Sequence, residues 1–260
     1  MSALLAGLPY IVWAPPLLVF ARTISLFAAS PLTGASVLPM TVRVLIGLVI
    51  AFFALTAGVP VSLPPESYFP LALISEVGVG LVIGFLATLV FSLFHTAGAT
   101  LDSELGFTVA QVFNPLGPAG QETLLANWFD SLGTVIFLLL GGVQVLVASA
   151  VESFQVVPMN VVTLTIGKGF LPALTAAFVG SFLIAMEIAA PILLALLLID
   201  LIGAALGRLL PQLNVLTFNI PVKMWTGLGL VAIFMPALVD AGRLAIGVYG
   251  QSVSEIVRNL

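Results

Sequence analysis

Long apolar stretches, separated by short breaks rich in proline and glycine, dominate the pattern along this chain. A helix needs about 20 apolar residues to cross the hydrocarbon core of a bilayer. Six stretches reach or approach that length, at roughly 8–29, 44–63, 71–98, 131–151, 173–207 and 222–247. The pattern therefore predicts an all-α integral membrane protein that crosses the membrane several times.

Proline positions predict where these segments break or bend. The stretch from Pro211 to Pro221 is expected to form the last turn between helices. Pro191 lies inside the fifth segment and should kink it, because proline removes a helical hydrogen bond. The segments at 71–98 and 173–207 exceed a simple crossing in length. Their length favours tilt, kinking or projection beyond the bilayer.

Composition supports a membrane protein and excludes several functional classes. The 260 residues are 61% hydrophobic and 7% charged, whereas soluble domains carry about 25% charged residues. The net charge of −4 is spread thinly, so no basic surface for nucleic acid is expected. The absence of cysteine excludes disulfides and thiolate metal sites. No Lys or Arg precedes Arg22, so the first segment is expected to stay in the mature protein rather than act as a cleaved signal.

The third segment carries small and polar residues along one helical stripe. Its members recur three or four positions apart, where helical side chains share a face: Glu76, Gly80, Gly84, Ala87, Phe91, His95, Gly98 and Asp102. Small residues allow a second backbone to approach closely. The stripe predicts a packing seam at Glu76, Gly80, Gly84, Gly98 and Asp102, either within the chain or against neighbouring subunits. A proton path through Glu76, His95 and Asp102 is a weaker interpretation, because these residues lie several turns apart.

The segment from Gly106 to Glu122, GFTVAQVFNPLGPAGQE, is apolar but too rich in glycine and proline to be a regular helix at its centre. An apolar, non-helical segment cannot face lipid, because its backbone groups would lack hydrogen-bond partners. It is therefore expected to be buried in protein or to line a cavity. Two interpretations stay open, a loop packed on a partner and a constriction or plug inside a pore, since apolar constrictions can gate by excluding water.

Signatures of catalysis are missing from the sequence. His95 is the only histidine, so neither a histidine-rich metal site nor an H-E-x-x-H motif can form. There is no P-loop and no G-x-S-x-G elbow. Asp102 and Glu104 are the only close pair of acids, and their i, i+2 spacing points them to different faces of a helix. We expect no enzymatic activity, cofactor or metal.

Three motifs are distributed over nearly the whole chain. They are Pro31 with Val37-Leu38-Pro39 and Arg43; Ala97-Gly98 through Gly106 to Asn114-Pro115; and Gly207-Arg208-Leu209-Leu210-Pro211-Gln212-Leu213-Asn214 with Ile220-Pro221-Val222-Lys223. Together they resemble motifs of the FliR family of flagellar export-gate proteins and their injectisome counterparts, SctT. The last stretch is the most specific of the three.

The chain departs from the usual family pattern at three places. Asn114 stands where many members have Asp, and Gln144 follows Gly142-Val143 where a Gly-His pair is common. Asn219 replaces a frequent Gly. The loss of two titratable groups argues against a fixed protonation role at those positions.

The resemblance implies an architecture and a set of partners. It implies a single FliR-like domain over residues 1–260, with a FliP-like part at about 1–130 and a FliQ-like C-terminal part within 131–260. Family members assemble with FliP and FliQ as long, kinked helical hairpins in a right-handed helical assembly, partly lifted out of the bilayer plane. The eleven-residue spacing of Glu76, Ala87 and Gly98 is typical of right-handed winding. Further partners implied are FlhA and FlhB.

The resemblance also implies site residues. In the family a loop from this subunit helps to close the channel, and by position that loop is 106–122 here. The implied constriction consists of Phe107, Val109, Gln111, Val112, Phe113, Asn114 and Pro115. The implied family turn consists of Arg208, Pro211, Gln212, Asn214, Pro221 and Lys223.

The predicted function is that of a non-enzymatic export-gate subunit in the bacterial inner membrane, at the flagellar basal body, that passes unfolded flagellar proteins. The injectisome gate is the alternative within the same class. A secondary transporter for a small solute would need an internal repeat with matched broken helices, and Pro191 has no counterpart in the second or third segment. An intramembrane enzyme is disfavoured by the missing catalytic residues.

Overall fold

The fold, described here from a computed structural model, covers residues 9–30, 40–56, 62–106, 124–159, 167–209 and 215–260. All regular elements in these ranges are helical, which confirms the predicted all-α class. A short 3-10 turn, Glu66–Tyr68, precedes the third helix. The α-helices are α1 (Tyr10–Ala29), α2 (Met40–Thr56), α3 (Phe69–Leu105), α4 (Leu124–Leu139), α5 (Gly142–Val156), α6 (Phe170–Leu209), α7 (Val215–Ile233) and α8 (Met235–Val257).

Several of these helices are long and apolar enough to cross a membrane. Within the described ranges, α1, α6 and α3 with its preceding turn each pass this test alone. Two further helix pairs, α4 with α5 and α7 with α8, pass it together but are bent at a short break. The fold is therefore that of a multi-pass membrane protein with three spans, or up to five if each bent pair is one span. At 17 residues, α2 falls short of a crossing.

Two predicted segments are bent at internal breaks, and one predicted turn is shorter than expected. The fourth segment breaks at Gly141, whose φ of 82° lies in the left-handed region that favours glycine. The sixth breaks at Phe234, just before Pro236, where proline can be accommodated in the first turn of a new helix. The last turn does not extend to Pro221, because α7 already begins at Val215. Pro221 lies inside α7, where it has no N–H to donate to the helix.

Helices α3 and α6 are the longest elements, with 37 and 40 residues. At about 1.5 Å per residue each is roughly 55–60 Å long, nearly twice the hydrocarbon thickness of about 30 Å. Pro191 does not end α6, which continues through it as one helix. Such lengths agree with the expectation of helices that tilt or project beyond the bilayer.

Two compact units make up the fold, and each draws on separate parts of the sequence. The first contains α1, α2, the first part of α3, α5, the start of α6 and the C-terminal part of α8. The second contains the rest of α3, α4, most of α6, α7 and the start of α8. The predicted division at residue 130 rests on the resemblance alone and stays a prediction.

A buried ion pair joins three helices of the first unit. The guanidinium of Arg22 in α1 donates from Nε to Glu76 Oε2 (2.5 Å) and from Nη2 to Glu76 Oε1 (2.9 Å) in α3. Arg22 also donates to Ser153 Oγ and to the Val157 carbonyl, and it stacks 4.3 Å from the centroid of the Phe154 ring. The two charged side chains are 0% and 2% exposed. Bidentate geometry with extra acceptors is what allows such a pair to be buried.

Gly80 and Gly84 pack against α1 close to this pair. A Cβ at Gly80 would collide with the Arg22 carbonyl and the Ser25 hydroxyl, and one at Gly84 would collide with the Leu26 carbonyl. The first half of the predicted stripe is therefore a seam within the chain, one of the two interpretations that the sequence left open. Contact of these residues with another subunit stays a prediction.

We expect Arg22→Met to lower the melting temperature of the purified protein strongly. The substitution leaves the Glu76 carboxylate buried without its counterion, and breaking a buried pair in this way costs about 3–5 kcal/mol. The double variant Arg22→Met/Glu76→Leu should recover most of the loss, because no charge then stays buried. Thermal unfolding in mild detergent measures both.

The matched control is Arg243→Met, which breaks the ion pair with Asp240 in α8. Both side chains of this ion pair are about two-thirds exposed, at 67% and 69%, so little change in the melting temperature is expected. A double variant at Arg22 and Glu76 as unstable as the single one would contradict the assignment.

Candidate functional site at the stem of the central loop

The last turns of α3 and the first turn of α4 meet on either side of the segment predicted as a central loop, residues 106–122. Helix α3 ends at Leu105, and Gly106 follows with a φ of 81°, a conformation that favours glycine. A Cβ at Gly98 would lie 2.8 Å from Ala126 Cα and 2.9 Å from the Leu125 carbonyl oxygen. The backbones of the two helices therefore touch at Gly98, about two turns before the end of α3, and at Ala126, in the first turn of α4. We call this contact the loop stem.

Asp102 fixes the loop stem by a hydrogen bond to the start of α4. Its carboxylate is fully buried, and Oδ2 accepts a hydrogen bond from the backbone N–H of Ala126 at 2.9 Å. Ala126 is the third residue of α4, so this N–H is one that the helix itself cannot satisfy. A negative charge at a helix N-terminus is further stabilised by the helix dipole. Asp102 thus acts as a cap supplied by a neighbouring helix.

A cluster of polar side chains ties the end of α3 to α6 and α7. Lys223 Nζ in α7 donates to Asp200 Oδ2 of α6 at 2.7 Å and to Glu104 Oε2 of α3 at 3.3 Å. Asn219 Nδ2 donates to the other oxygen of Asp200 at 3.0 Å. The amide of Asn219 thus supplies Asp200 with a second donor, which a glycine at this position would not offer.

The exposed face of the stem helices is polar. From Phe91 onwards the exposed and half-exposed positions of α3 are occupied by Ser92, His95, Thr96, Ala99, Thr100, Ser103 and Glu104. One flank of α4 carries Asn127, Asp130, Ser131 and Thr134, whereas the other carries Leu124, Trp128, Val135 and Leu139. His95 Nδ1 lies 2.8 Å from Asp130 Oδ2 and joins the two helices. We call the polar residues of this face the polar stripe.

The polar stripe contrasts with the first half of α3. There the exposed side chains include Leu71, Ile74, Leu81 and Phe85, which suit lipid or an apolar partner. A surface built from hydroxyl, amide and charged groups suits water or a polar partner instead. The change of surface along one helix indicates that the stem end of α3 lies in a more polar environment than its beginning.

The predicted seam is divided between two contacts. Glu76, Gly80 and Gly84 pack in the first unit, whereas Gly98 and Asp102 form the loop stem in the second. Glu76, His95 and Asp102 have separate partners, in Arg22, Asp130 and Ala126, rather than forming one path. In the ranges that the structure covers, no three His, Asp or Glu side chains come together as a metal site requires.

Many of the predicted functional residues lie outside the described ranges. These are Phe107, Val109, Gln111, Val112, Phe113, Asn114 and Pro115 of the loop, and Pro211, Gln212 and Asn214 of the family turn. Arg208 lies exposed in the last turn of α6, where a cation interacts favourably with the helix dipole. Pro221 lies inside α7, and Lys223 belongs to the polar cluster described above.

Sequence reasoning did not find the ion pairs of Arg22, His95 and Lys223. A signal for them existed, because a lone charge in an apolar helix is costly and needs a partner. Which partner it takes cannot be derived from spacing, since the paired residues lie 54, 35 and 23 positions apart.

We expect Gly98→Ala to destabilise the protein, because the new methyl group would have to push apart the backbones of α3 and α4. The cost should exceed the roughly 0.5–1 kcal/mol that alanine gains over glycine inside a helix. Gly247→Ala in α8 is the matched control, since a Cβ there meets nothing within 4 Å. Thermal unfolding should separate the two variants, and equal or higher stability of Gly98→Ala would contradict the close contact.

Comparison with known proteins agrees with the predicted family. The chain is 28% identical to the flagellar biosynthetic protein FliR of Bacillus subtilis, over 80% of this chain and 81% of that protein. It is also 28% identical to FliR of Escherichia coli, over 84% of this chain and 82% of that one. The surface presentation of antigens protein SpaR of Shigella flexneri is 26% identical, over 84% and 81%.

These similarities confirm the resemblance to the FliR family and its injectisome counterparts. The sequence profile of the family described as bacterial export proteins, family 1, matches residues 14–246. That range takes in the whole of α2 to α7, including the loop stem and the polar cluster around Lys223. The chain therefore belongs to family 1 of the bacterial export proteins.

Proposed function

We propose that this chain is a non-enzymatic subunit of a flagellar type III protein export gate in the bacterial inner membrane. It forms, with FliP and FliQ, a channel for unfolded flagellar proteins and works beside FlhA and FlhB. Family membership and the similarity to two FliR proteins support this function. The loop stem is the structural observation that carries the proposal, because it packs together α3 and α4, the two helices that flank the apolar segment.

The central loop closes the channel in this proposal. The last two turns of α3 pack against the first turn of α4, and this contact supports the proposal that the apolar segment between the two helices acts as a loop. Its apolar side chains would exclude water at a constriction. The polar stripe on the same hairpin would line the water-filled part of the channel.

The similarity to SpaR supports a second candidate, the gate of an injectisome. The two candidates share the same mechanism and differ in the exported protein. Deletion of the gene in the host decides between them. Loss of filament protein from the culture medium and loss of swimming support the flagellar gate, whereas loss of effector secretion with normal swimming supports the injectisome.

We expect the double variant Phe107→Ser/Phe113→Ser to increase leakage of small molecules through the assembled complex. Hydroxyl groups would let water wet the constriction. Entry of a membrane-impermeant dye into cells that express the complex measures the leak. The double variant Phe52→Ser/Phe53→Ser is the control, because it changes the same residue type on an exposed face of α2. Equal leakage for the wild type and the loop variant would exclude a closing role for the loop.

Cysteine labelling tests the polar stripe directly, because the chain has no cysteine of its own. A thiol in contact with water ionises and reacts with a charged maleimide, whereas one surrounded by lipid does not ionise. We expect Asn127→Cys in α4 to be labelled in intact membranes at least about tenfold faster than Leu139→Cys in the same helix. Leu139 is 81% exposed, so poor labelling there would reflect its environment rather than burial in this chain. Similar labelling rates would contradict a water-lined stripe.

A further inference from the structure

Helix α6 presents a long apolar face that the rest of the described chain leaves uncovered. Only 33% of its most apolar 18 residues are buried, against 50% for α1 and 56% for α3. Within the second unit, Leu183, Leu194, Leu198 and Leu201 are each about 60% exposed. Their spacing places them on one side of the helix.

Glu187 lies in the middle of this leucine face. It is exposed, four residues after Leu183 and seven before Leu194, so it shares their side of α6. It makes no hydrogen bond or ion pair with any residue in the described part of the chain. The other acid of α6, Asp200, is bound by Lys223 and Asn219. Of the two acids of α6, Glu187 is therefore the one without a counterion or hydrogen-bond donor in the described ranges.

The position of Glu187 makes an unbalanced charge costly. A membrane crossing takes about 20 residues, and every stretch of that length in α6 contains Glu187 or Asp200. Most of these stretches contain Glu187, which lies close to the midpoint of the helix. A carboxyl group at hydrocarbon depth is costly to ionise unless a cation or a hydrogen-bond donor lies beside it, and lipid tails offer neither.

We propose that the leucine face around Glu187 is the docking surface for a membrane helix of a different subunit, which pairs a lysine or arginine with Glu187. The leucines supply an apolar contact along about five turns, and the carboxylate fixes the register of the partner helix. This inference rests on the proposed function only in requiring that the chain works inside a membrane assembly.

Charge complementarity selects this occupant over a second copy of the chain. A symmetric contact between two α6 faces would bring two Glu187 carboxylates together, and like charges in a medium of low dielectric constant repel strongly. A second copy would also have to supply a basic side chain from inside a helix. Arg22 and Lys223 lie inside helices, but each is already bound to an acid of its own chain.

Photo-crosslinking in the native host tests the docking surface. A photoreactive phenylalanine analogue replaces Leu194 in the full chain, intact membranes are irradiated, and mass spectrometry identifies the attached peptide. We expect an adduct with a membrane helix of another protein that carries a lysine or arginine. Adducts with lipid alone, with a second copy of this chain, or with a helix that lacks a basic residue would each overturn the proposal.

Charge variants then test the pairing itself. Glu187→Lys should lower the adduct yield about tenfold, as expected for loss of a coupling of roughly 1.4 kcal/mol. Exchange of the partner's basic residue for glutamate should restore it. Glu187→Gln, which keeps the size of the side chain, should show an intermediate loss. Glu255→Lys makes the same charge change at an exposed site in the first unit and should leave the yield unchanged.

The two proposals fail in different ways. An unchanged yield for Glu187→Lys, while Phe107→Ser/Phe113→Ser still increases leakage, would overturn the docking surface and leave the gate function intact. A charge-dependent adduct without any effect of the loop variant on leakage would support the docking surface and remove the closing role of the loop.

Discussion

The rest of this structure depends on the pairing of charged side chains inside apolar helices. A chain with so few charged residues carries several of them inside apolar helices, where water cannot solvate them. Arg22 and Glu76 solve the problem by a bidentate pair with additional acceptors around the guanidinium. Because that pair joins α1 to α3 and contacts α5, it also fixes how the helices of the first unit are arranged.

The same constraint shapes the second unit. Lys223 lies between Asp200 and Glu104, and the Asn219 amide satisfies an oxygen that the lysine does not reach. Asp102 is balanced by the N-terminus of α4 rather than by a basic side chain. Lys223 and the backbone of Ala126 bind the last turns of α3, and Asp200 and Asn219 hold Lys223 and α6 together. The position of the loop stem therefore depends on three neighbouring helices.

Surface chemistry divides the chain into parts with different environments. The beginning of α3 and one flank of α4 expose leucine, phenylalanine and valine, whereas the polar stripe exposes hydroxyl, amide and ionisable groups. A helix about 55 Å long cannot lie wholly within a hydrocarbon layer of about 30 Å when it runs directly across it. A helix longer than the hydrocarbon layer must leave that layer, so its surface is expected to change from apolar to polar along its length, as it does in α3. Exposed Glu187 of α6 has no counterion in the described ranges, and the proposed partner helix supplies one.

The sequence by itself determined the class of fold, because its hydrophobic stretches are long enough to cross a membrane. Lipid offers no hydrogen-bond partners to the backbone, so such stretches form helices, which satisfy their own N–H and C=O groups. It also determined the family, through short motifs at Ala97-Gly98 and around Arg208 and Lys223. The glycines and prolines between Gly106 and Glu122 predicted a break in the helices there, and α3 ends at Leu105 and α4 begins at Leu124 on either side of it. These are all local properties, readable from neighbouring residues.

Only the tertiary structure decided which charges pair and where the helices break. The stripe from Glu76 to Asp102 reads as one face, but the fold uses its first half against α1 and its second half against α4. The breaks at Gly141 and Phe234 interrupt segments that hydropathy describes as continuous. Hydropathy depends on composition, whereas a break or an ion pair depends on which distant residue lies opposite, and spacing along the chain does not contain that information.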